Sequence, residues 1–495
     1  MIAKTSILYK KVRRVSVEYK QANDCCSDIS VVFVIVGDVL VNASIVDYNQ
    51  DNGVNITYDG GWRIFNRSSF SYNYGNGINI TMNETRVDNK TVYTRHQKTE
   101  VSRSYFLNNE GHGIRVGNYC QSGIAVVNDS IFAGNRKAAV EFESCFRIVP
   151  EQNVTNFTIG YNEFRENLEH AIKITPLLNA VGRIANNTFV DHPRYVLLLD
   201  NTDDFLHSKF YQNMKVSYEV LGNEFLNNRG FYVANIRLTQ GSQSQKMDFK
   251  FNVFTGNVIE GAVPTLNQRT KAYAVVILSS SNVNFNRNHL VNVDSRFEIA
   301  THLLDMSINL QATQQWWGTT DYSLILPKLF DQFSRYNLAR ILYHPALAYD
   351  WLYTPVLTDR NTEIEIEFVR GDTIGGRLAT RLTLTPGKTY YVDRDISVLG
   401  YGMLYVLPGT VFEFQNALGM LIQGYVEFSG SSDQPITMLL KNESTWVNSS
   451  VIRLTDGPSL LEGRLEVRPT EADEWGTVCN EVSLATNPAL FRLLL

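Results

Sequence analysis

The stretch that decides the fold reads NEFRENLEHAIKI from Asn162 to Ile174, and its opening phrase, Asn-x-Phe, returns four more times, with Leu in the last copy. The copies are Asn162-Glu163-Phe164, Asn187-Thr188-Phe189, Asn223-Glu224-Phe225, Asn252-Val253-Phe254 and Asn288-His289-Leu290. They begin 25, 36, 29 and 36 residues apart, and most lead into a short alternating apolar strand, as at Tyr273 to Leu278. A phrase that recurs in this way marks an internal repeat.

The irregular spacing argues against arrays of helical hairpins and favours a solenoid whose loops vary while its strands keep their register. Stacked coils would repeat every 4.8 Å or so, the spacing of neighbouring strands. Equivalent side chains then lie above one another, so that Asn amides hydrogen-bond along the axis and Phe rings stack inside. We predict an all-β, right-handed parallel β-helix with the ten residues of the five phrases as its structural ladder. An antiparallel sandwich with Asn-rich turns is the alternative, and the constant register between phrase and strand disfavours it.

Degenerate copies extend the repeat toward the N-terminus, each with a glycine or alanine before an apolar strand. Examples are Gly53 before Val54, Gly77 before Ile78 and Gly113 before Ile114. We expect each glycine to supply the positive φ of a tight corner. The β-helix is therefore predicted over residues 29–319, with nine or ten coils and a length of about 45 Å.

Two adjacent tryptophans, Trp316 and Trp317, follow the last copy and are predicted to cap the apolar core, which every solenoid must cover at its ends. A platform for stacking carbohydrate is the alternative for this pair. Residues 320–381 are predicted to be a connector with one or two short helices. Short strands separated by Pro-Gly and Gly corners then predict the start of a second β-helix-like unit over residues 382–447.

Composition narrows the possible functions. The 495 residues carry a net charge of -5 without a basic block, which argues against a nucleic-acid partner. No apolar run is long enough to cross a bilayer, and residues 1–28 form an irregular segment without the apolar core of a signal peptide. If the protein is extracellular, we expect this chain to be a fragment of a longer product.

Twelve Asn-x-Ser/Thr sequons favour an extracellular or lumenal surface, although an Asn-rich repeat raises their number by itself. They are Asn42, Asn55, Asn66, Asn79, Asn83, Asn89, Asn128, Asn153, Asn156, Asn186, Asn442 and Asn448. Cys120 and Cys145 lie about one coil apart and are disulfide candidates in an oxidising compartment, with two buried thiols as the alternative. The pairing of Cys25, Cys26 and Cys479 stays open.

Residues 450–480 resemble the opening of a scavenger receptor cysteine-rich domain. The resemblance rests on Val451 to Leu454, on Glu462 to Val467 and on Trp475 to Cys479, in that order. It ends at Cys479, so this copy is predicted to be truncated and to be followed by a non-matching tail, 481–495. Together with the β-helix, the module is similar to large invertebrate cell-surface proteins that combine these two parts. That resemblance implies a membrane-anchored ectodomain at epithelial junctions where three cells meet, acting in septate junction assembly and barrier formation.

Catalysis is not expected. Polysaccharide lyases and hydrolases of β-helix shape need clustered or paired carboxylates, and we expect the acidic residues here to be out of register and solvated. These are Asp47, Asp51, Asp129, Glu163, Glu166, Glu169, Asp191, Asp203 and Asp204. His112 and His170 are interpreted as corner residues about 10 Å apart, too far to share a metal. We predict no catalytic residue, metal or cofactor.

The sequence thus predicts a non-enzymatic extracellular adhesion or scaffold protein. Its expected partners are other cell-surface or junction proteins, a second copy of itself, or carbohydrate. Membrane anchoring would depend on segments absent from this chain. The alternatives are a β-helix polysaccharide lyase or epimerase and a scavenger-type receptor for polyanions.

Overall fold

A computed structural model describes most of the chain between residues 38 and 441, with five strand segments outside that span. The described ranges are 14–17, 31–35, 38–58, 61–82, 86–87, 90–91, 97–117, 123–143, 154–177, 179–202, 215–239, 244–260, 273–357, 367–415, 418–441, 451–459, 462–468 and 476–477. Within these ranges, three long parallel sheets form the walls of a parallel β-helix, so the predicted fold is confirmed.

Each coil visits the three sheets in one order, and each sheet pairs a strand with its equivalent one coil away. Sheet A contains Arg14–Val17, Asp38–Asn42, Gly61–Asn66, Gln97–Ser102, Gly123–Asn128, Thr155–Gly160, Ala180–Ala185, Val216–Leu221, Gln245–Lys250 and Val283–Asn286. Sheet B contains Tyr105–Leu107, Ile131–Ala133, Glu163–Arg165, Thr188–Val190, Glu224–Leu226, Val253–Thr255 and His289–Val291. Sheet C contains Val31–Ile35, Val54–Tyr58, Ile78–Met82, Ile114–Gly117, Val140–Phe142, Ile172–Ile174, Tyr195–Asn201, Tyr232–Leu238, Ala274–Leu278, Ile299–Ala300 and Leu329–Phe330.

The core is a column of side chains supplied by the middle residue of each sheet B strand, and all of them are aromatic rings except Leu290 in the last strand. Phe70 precedes the first of these strands, and Phe106, Phe132, Phe164, Phe189, Phe225, Phe254 and Leu290 follow in register. Neighbouring phenylalanine rings are stacked with centroids 4.4–5.3 Å apart. All eight side chains are fully buried, so no coil can present this face to water without its neighbours.

Most positive φ angles of the β-helix lie at the two corners that flank sheet B. Before sheet C, Gly230 has a φ of 119°, whereas Gly53, Gly77 and Gly113 have no positive φ. Arg103, with φ of 50°, and Asn186, with φ of 54°, are examples at the first corner. Gly53, Gly77 and Gly113 serve a different purpose, because a Cβ at any of them would come within 2.6–2.8 Å of a carbonyl oxygen in the next coil. The prediction of a positive φ at these glycines was therefore wrong: close backbone packing requires them.

The stacking continues beyond the Trp-Trp pair that we predicted to close the array. Trp316 bridges to His289, and Trp317, only 7% exposed, takes the next place in the aromatic column. The strand Leu329–Phe330 then adds to sheet C, and Arg340–Leu342 pairs with Asn309–Gln311. A short α-helix, Tyr322–Ile325, and a 3-10 turn, Leu326–Lys328, lie within this continuation.

A second, smaller stack follows. One of its sheets contains Val369–Arg370, Thr373–Leu378, Thr389–Val398, Val411–Phe414, Met420–Ile422 and Thr437–Leu440, and the other contains Arg381–Thr383, Met403–Val406 and Tyr425–Phe428. All of these strands pair in parallel except the first, Val369–Arg370. Asp395 joins this stack to the first one, accepting hydrogen bonds from the backbone N–H groups of Gly419 at 2.7 Å and Tyr336 at 3.3 Å.

Three further small sheets complete the described strands. Arg229–Gly230 pairs in parallel with Val258–Ile259, and Arg86–Val87 pairs with Lys90–Thr91 in antiparallel fashion. Near the C-terminus, Val451–Ser459, Glu462–Arg468 and Gly476–Thr477 form an antiparallel sheet. The predicted scavenger-receptor module covers this sheet, and its identity stays a prediction.

Candidate functional site: two buried ladders and an outer strip

Two columns of buried polar side chains run through the corners on either side of sheet B. The first column, between sheets A and B, is Ser44, Ser68, Ser104, Ser130, Asn162, Asn187, Asn223, Asn252, Asn288 and Gln315. The second, between sheets B and C, is Asn49, Asn73, Asn109, Asn135, Asn167, His192, Asn228, Asn257, Asn292 and Glu298. The five predicted ladder asparagines all lie in the first column.

Most asparagine rungs donate three hydrogen bonds to the neighbouring coils. Asn187 shows the pattern: its backbone N–H and its Nδ2 both donate to Oδ1 of Asn223, at 3.0 and 2.9 Å. Its Nδ2 also donates backward to the carbonyl of Ile159 at 2.9 Å. Its Oδ1 accepts the N–H of Asn162, so the amide satisfies two buried backbone groups of the preceding coil that no sheet ladder reaches, which is why the corners can be buried.

The first column explains several of the sequons. Asn42-x-Ser44, Asn66-x-Ser68 and Asn128-x-Ser130 each end on a ladder serine whose Oγ donates to the carbonyl of the sequon Asn, at 2.8–2.9 Å. The same Oγ of Ser68 and of Ser130 accepts the N–H of the preceding rung. Three sequons therefore follow from the corner itself, and their presence alone says little about glycosylation.

The remaining sequons fall into two groups. Asn55, Asn79, Asn156 and Asn186 are described and lie at half-buried or exposed positions on sheets A and C or at the first corner. Outside the described residues lie the predicted sites Asn83, Asn89, Asn153, Asn442 and Asn448 and all five cysteines, including the disulfide candidates Cys120 and Cys145. Their predicted roles stay predictions.

The outer face of sheet C carries a strip of alternating charge centred on Glu141, which we call the Glu141 cluster (His112, Arg115, Glu141, Glu143 and Lys173). Arg115, Glu141 and Lys173 are in register on three successive coils. Glu141 Oε1 lies 2.7 Å from Lys173 Nζ, and its Oε2 lies 3.2 Å from His112 Nε2. Arg115 also contacts Glu143. Burial lowers the pKa of His112 to about 4, although Glu141 opposes the shift, so this imidazole is neutral at neutral pH.

An aromatic group continues the strip on the next coils. His170 stacks on Tyr195 with ring centroids 4.9 Å apart, and its Nε2 lies 2.8 Å from the hydroxyl of Tyr232. Phe231 and Tyr273 extend the group along the axis. Burial lowers the pKa of His170 to about 3. The ion pairs and stacked rings make this strip an ordered surface that a partner could contact without rearrangement.

The carboxylates differ in one respect from the sequence-based expectation. Glu166 and Asp191 follow paired strands and occupy equivalent exposed corner positions on adjacent coils, with φ of 47° and 55°. The sequence predicts that no acidic residues are in register on adjacent coils. Glu166 and Asp191 are in register because both occupy the same position of the corner. A second stacked pair, Glu219 and Asp248 on sheet A, went unnoticed in the sequence. Salt bridges to Arg183 and Lys250 balance its charge.

The other predicted acidic residues act locally. Asp47 accepts the N–H of Ser71 at 2.6 Å and the hydroxyl of Ser69 at 2.8 Å, while Asp129 is a first-corner residue with φ of 50°. Glu163 pairs with Arg165 on its own strand. Asp203 and Asp204 lie outside the described residues. Within the described ranges, no group of three or more His, Cys, Asp or Glu side chains could hold a metal ion.

The chain is similar to protein bark beetle of Drosophila melanogaster. The two are 29% identical over 460 residues, which cover 83% of this chain and 14% of the relative. This supports a relationship to bark beetle-like proteins, and the chain spans about one seventh of that relative's length. No protein-family model and no solved structure matches the chain. In the described part of the chain, no helix has the length and apolarity needed to span a bilayer.

Proposed function

We propose that this chain is a rigid, non-enzymatic segment of an extracellular adhesion or scaffold protein that acts at epithelial cell junctions. The observation that carries the proposal is the pair of ladders, which run through ten and nine coils and brace both corners of the sheet B strands. A stack in which every coil depends on its neighbours transmits force and holds its outer faces in fixed register. A rigid rod of this kind is better suited to holding and contacting other molecules at fixed distances than to catalysing a reaction.

The similarity to protein bark beetle supports the same proposal. The resemblance described above implies a place where three epithelial cells meet, with a role in septate junction assembly and barrier formation. The expected partners are junction proteins, a second copy of this chain or cell-surface carbohydrate. The Glu141 cluster and the adjoining aromatic group are the surface that we assign to such contacts, because their side chains are already ordered by ion pairs and ring stacking.

The proposal is tested by measuring whether the chain is recruited to the places where epithelial cells meet. The chain, fused to a secretion signal and a membrane anchor, is expressed in epithelial cells that contain protein bark beetle. We expect it to concentrate at cell vertices. Phe225→Asp, which removes the stacked core, should abolish recruitment, whereas Leu226→Asp on the half-exposed outer face of the same strand should fold normally. Uniform distribution of the well-folded parent chain over the lateral membrane would contradict the proposal.

A polysaccharide-active enzyme is the second candidate, and one observation favours it: Glu141 is buried beside His112, Arg115 and Lys173 on the sheet face. A carboxylate flanked by cations could bind an acidic sugar. The chain, incubated with a panel of acidic polysaccharides, would then release reducing or unsaturated ends, and Glu141→Gln would prevent it. Our proposal expects no release from either protein.

A further inference from the structure

One sequon stands apart because apolar side chains flank it on both sides. Asn156 is exposed in the middle of sheet A, and its register partners on the adjacent coils are Ile124 and Val181. These two side chains are 45% and 49% exposed. Each lies one strand spacing, about 4.8 Å, from Asn156. The three form a continuous outward row in which the only polar member is the sequon asparagine.

The local strand geometry directs both ends of this sequon outward. In the strand Thr155–Gly160 the burial alternates, so that Asn156 and Thr158 both face outward while Phe157 between them is 3% exposed. Gly182 on the next coil makes this possible, because a Cβ there would lie 1.9 Å from the Phe157 ring. Neither Asn156 nor Thr158 belongs to the buried ladders, in contrast to the serines of the corner sequons.

We propose that Asn156 carries an N-linked glycan whose first N-acetylglucosamine lies over Ile124 and Val181 as a structural part of sheet A. The inference rests on the proposed extracellular function, since only the secretory route supplies the donor. Transfer joins Asn156 Nδ2 to C1 of the sugar, breaks the bond between that carbon and the pyrophosphate of a lipid-linked oligosaccharide, and removes one proton from Nδ2. The C–H face of the sugar then covers apolar surface that would otherwise remain in water.

Asn79 provides a matched control within the same molecule. It too lies outward in mid-strand, and it begins an Asn-x-Thr sequon whose central residue, Ile80, is fully buried. Its register partners are polar: its Nδ2 donates to Asn55 Oδ1 at 2.9 Å, and its Oδ1 accepts from Arg115 at 3.4 Å. A glycan at Asn79 has no apolar pair to cover, so its loss should not destabilise the strands beneath.

Occupancy is measured first, on full-length chain secreted from insect cells. Asn153→Gln is introduced so that Asn156 is the one sequon in its tryptic peptide. Glycopeptide mass spectrometry should find Asn156 occupied. An unmodified Asn156 beside occupied Asn79 or Asn186 would overturn this inference and leave the extracellular proposal standing. Secreted chain without glycan at any described sequon would overturn both.

The structural role is tested by a double-mutant cycle. Thr158→Val removes the sequon and keeps Asn156, and it is made in the parent chain and in an Ile124→Thr/Val181→Thr background. In the parent we expect the melting temperature to fall by about 2 °C and amide exchange to rise in the three strands around Asn156. In the Thr/Thr background, and for Thr81→Val at the control site, we expect no such change. Equal losses in both backgrounds would overturn the proposal.

Trimming separates the first sugar from the rest of the glycan. An endoglycosidase that leaves one N-acetylglucosamine on Asn156 should preserve the parent melting temperature. Complete removal by an amidase, which converts Asn156 to Asp, should reproduce the loss seen with Thr158→Val. Equal loss after both treatments would show that the outer sugars matter and would contradict the assigned contact.

Discussion

The two corner columns perform the same task with different residues. The first begins with four serines and changes to amides at Asn162, ending on Gln315. The second uses asparagine from its first rung, is interrupted once by His192, and ends on Glu298. A serine rung accepts a hydrogen bond from one backbone N–H, and its hydroxyl donates to the carbonyl two residues before it. An amide rung instead forms hydrogen bonds with the coils on both sides and so connects three coils. The difference shows that one acceptor for the N–H of the preceding rung is enough to bury a corner, and that an amide adds side-chain donation to the coils on both sides.

The largest effect is expected from a substitution in the column of stacked rings, which lies between the two polar columns. Phe225→Asp buries an unpaired carboxylate among Phe189 and Phe254, at a cost of several kcal/mol. We expect loss of secretion and of protease resistance for the whole stack. Leu226→Asp, on the half-exposed neighbour, is the control. A secreted, protease-resistant Phe225→Asp protein would contradict the stacked fold.

The contrast between amide and hydroxyl rungs can be measured directly. Asn223→Leu keeps the volume but leaves the N–H and Nδ2 of Asn187 without their acceptor, so we expect a loss of roughly 2–4 kcal/mol. Ser104→Ala deprives one N–H, that of Ser68, of its acceptor and should cost about 1 kcal/mol. Urea unfolding of both variants gives the two values. Equal losses would mean that the amide bonds add nothing to the backbone contact.

The end of the second column should respond to pH. Burial raises the pKa of Glu298 to about 7, although hydrogen bonds from Asn292 oppose the shift. Between its usual pKa of 4.5 and about 7, the folded chain holds a proton that the unfolded chain has released, so stability falls as pH rises through this window. Glu298→Gln should reduce that fall by about 2 kcal/mol between pH 5 and pH 8. If the free energy of unfolding of the two proteins changed by the same amount between pH 5 and pH 8, Glu298 would not be the source of the pH dependence.

The smallest effect is expected from replacing His192, which interrupts the asparagines of the second column, with asparagine. His192 is fully buried, its Nδ1 lies 2.9 Å from the carbonyl of Val190, and burial lowers its pKa to about 4. The unfolded chain therefore binds a proton first as pH falls from 6.5 toward 4, and stability decreases in that window. His192→Asn should supply an acceptor for Asn167, stabilise by about 1 kcal/mol at pH 7, and remove this acid sensitivity. A destabilised variant would show that the corner is shaped for the imidazole.

From the sequence alone, the members of the first column could be recognised only where they belong to an Asn-x-Phe phrase. Ser44 to Ser130 escaped notice because serine is common in turns and carries no repeat signal by itself. Gln315 and Trp317 hold the next rung and the next ring, yet Gln-Trp-Trp does not resemble the phrase, so the sequence predicts an end cap at Trp316 and Trp317 instead. The second column was visible only as scattered asparagines, since loops of variable length separate its members from the strands that follow.

Composition and periodicity alone determined the class of fold, the direction of stacking and the identity of the ring column, because a residue that must stack on its own kind has to recur. Which polar side chains would meet was decided by tertiary structure. The coil length varies from 24 to 36 residues between bonded rungs, so sequence distance does not predict contact. Register placed Glu141 between two cations, and Asn156 between two apolar side chains, because only the closed coil sets neighbouring strands one spacing apart.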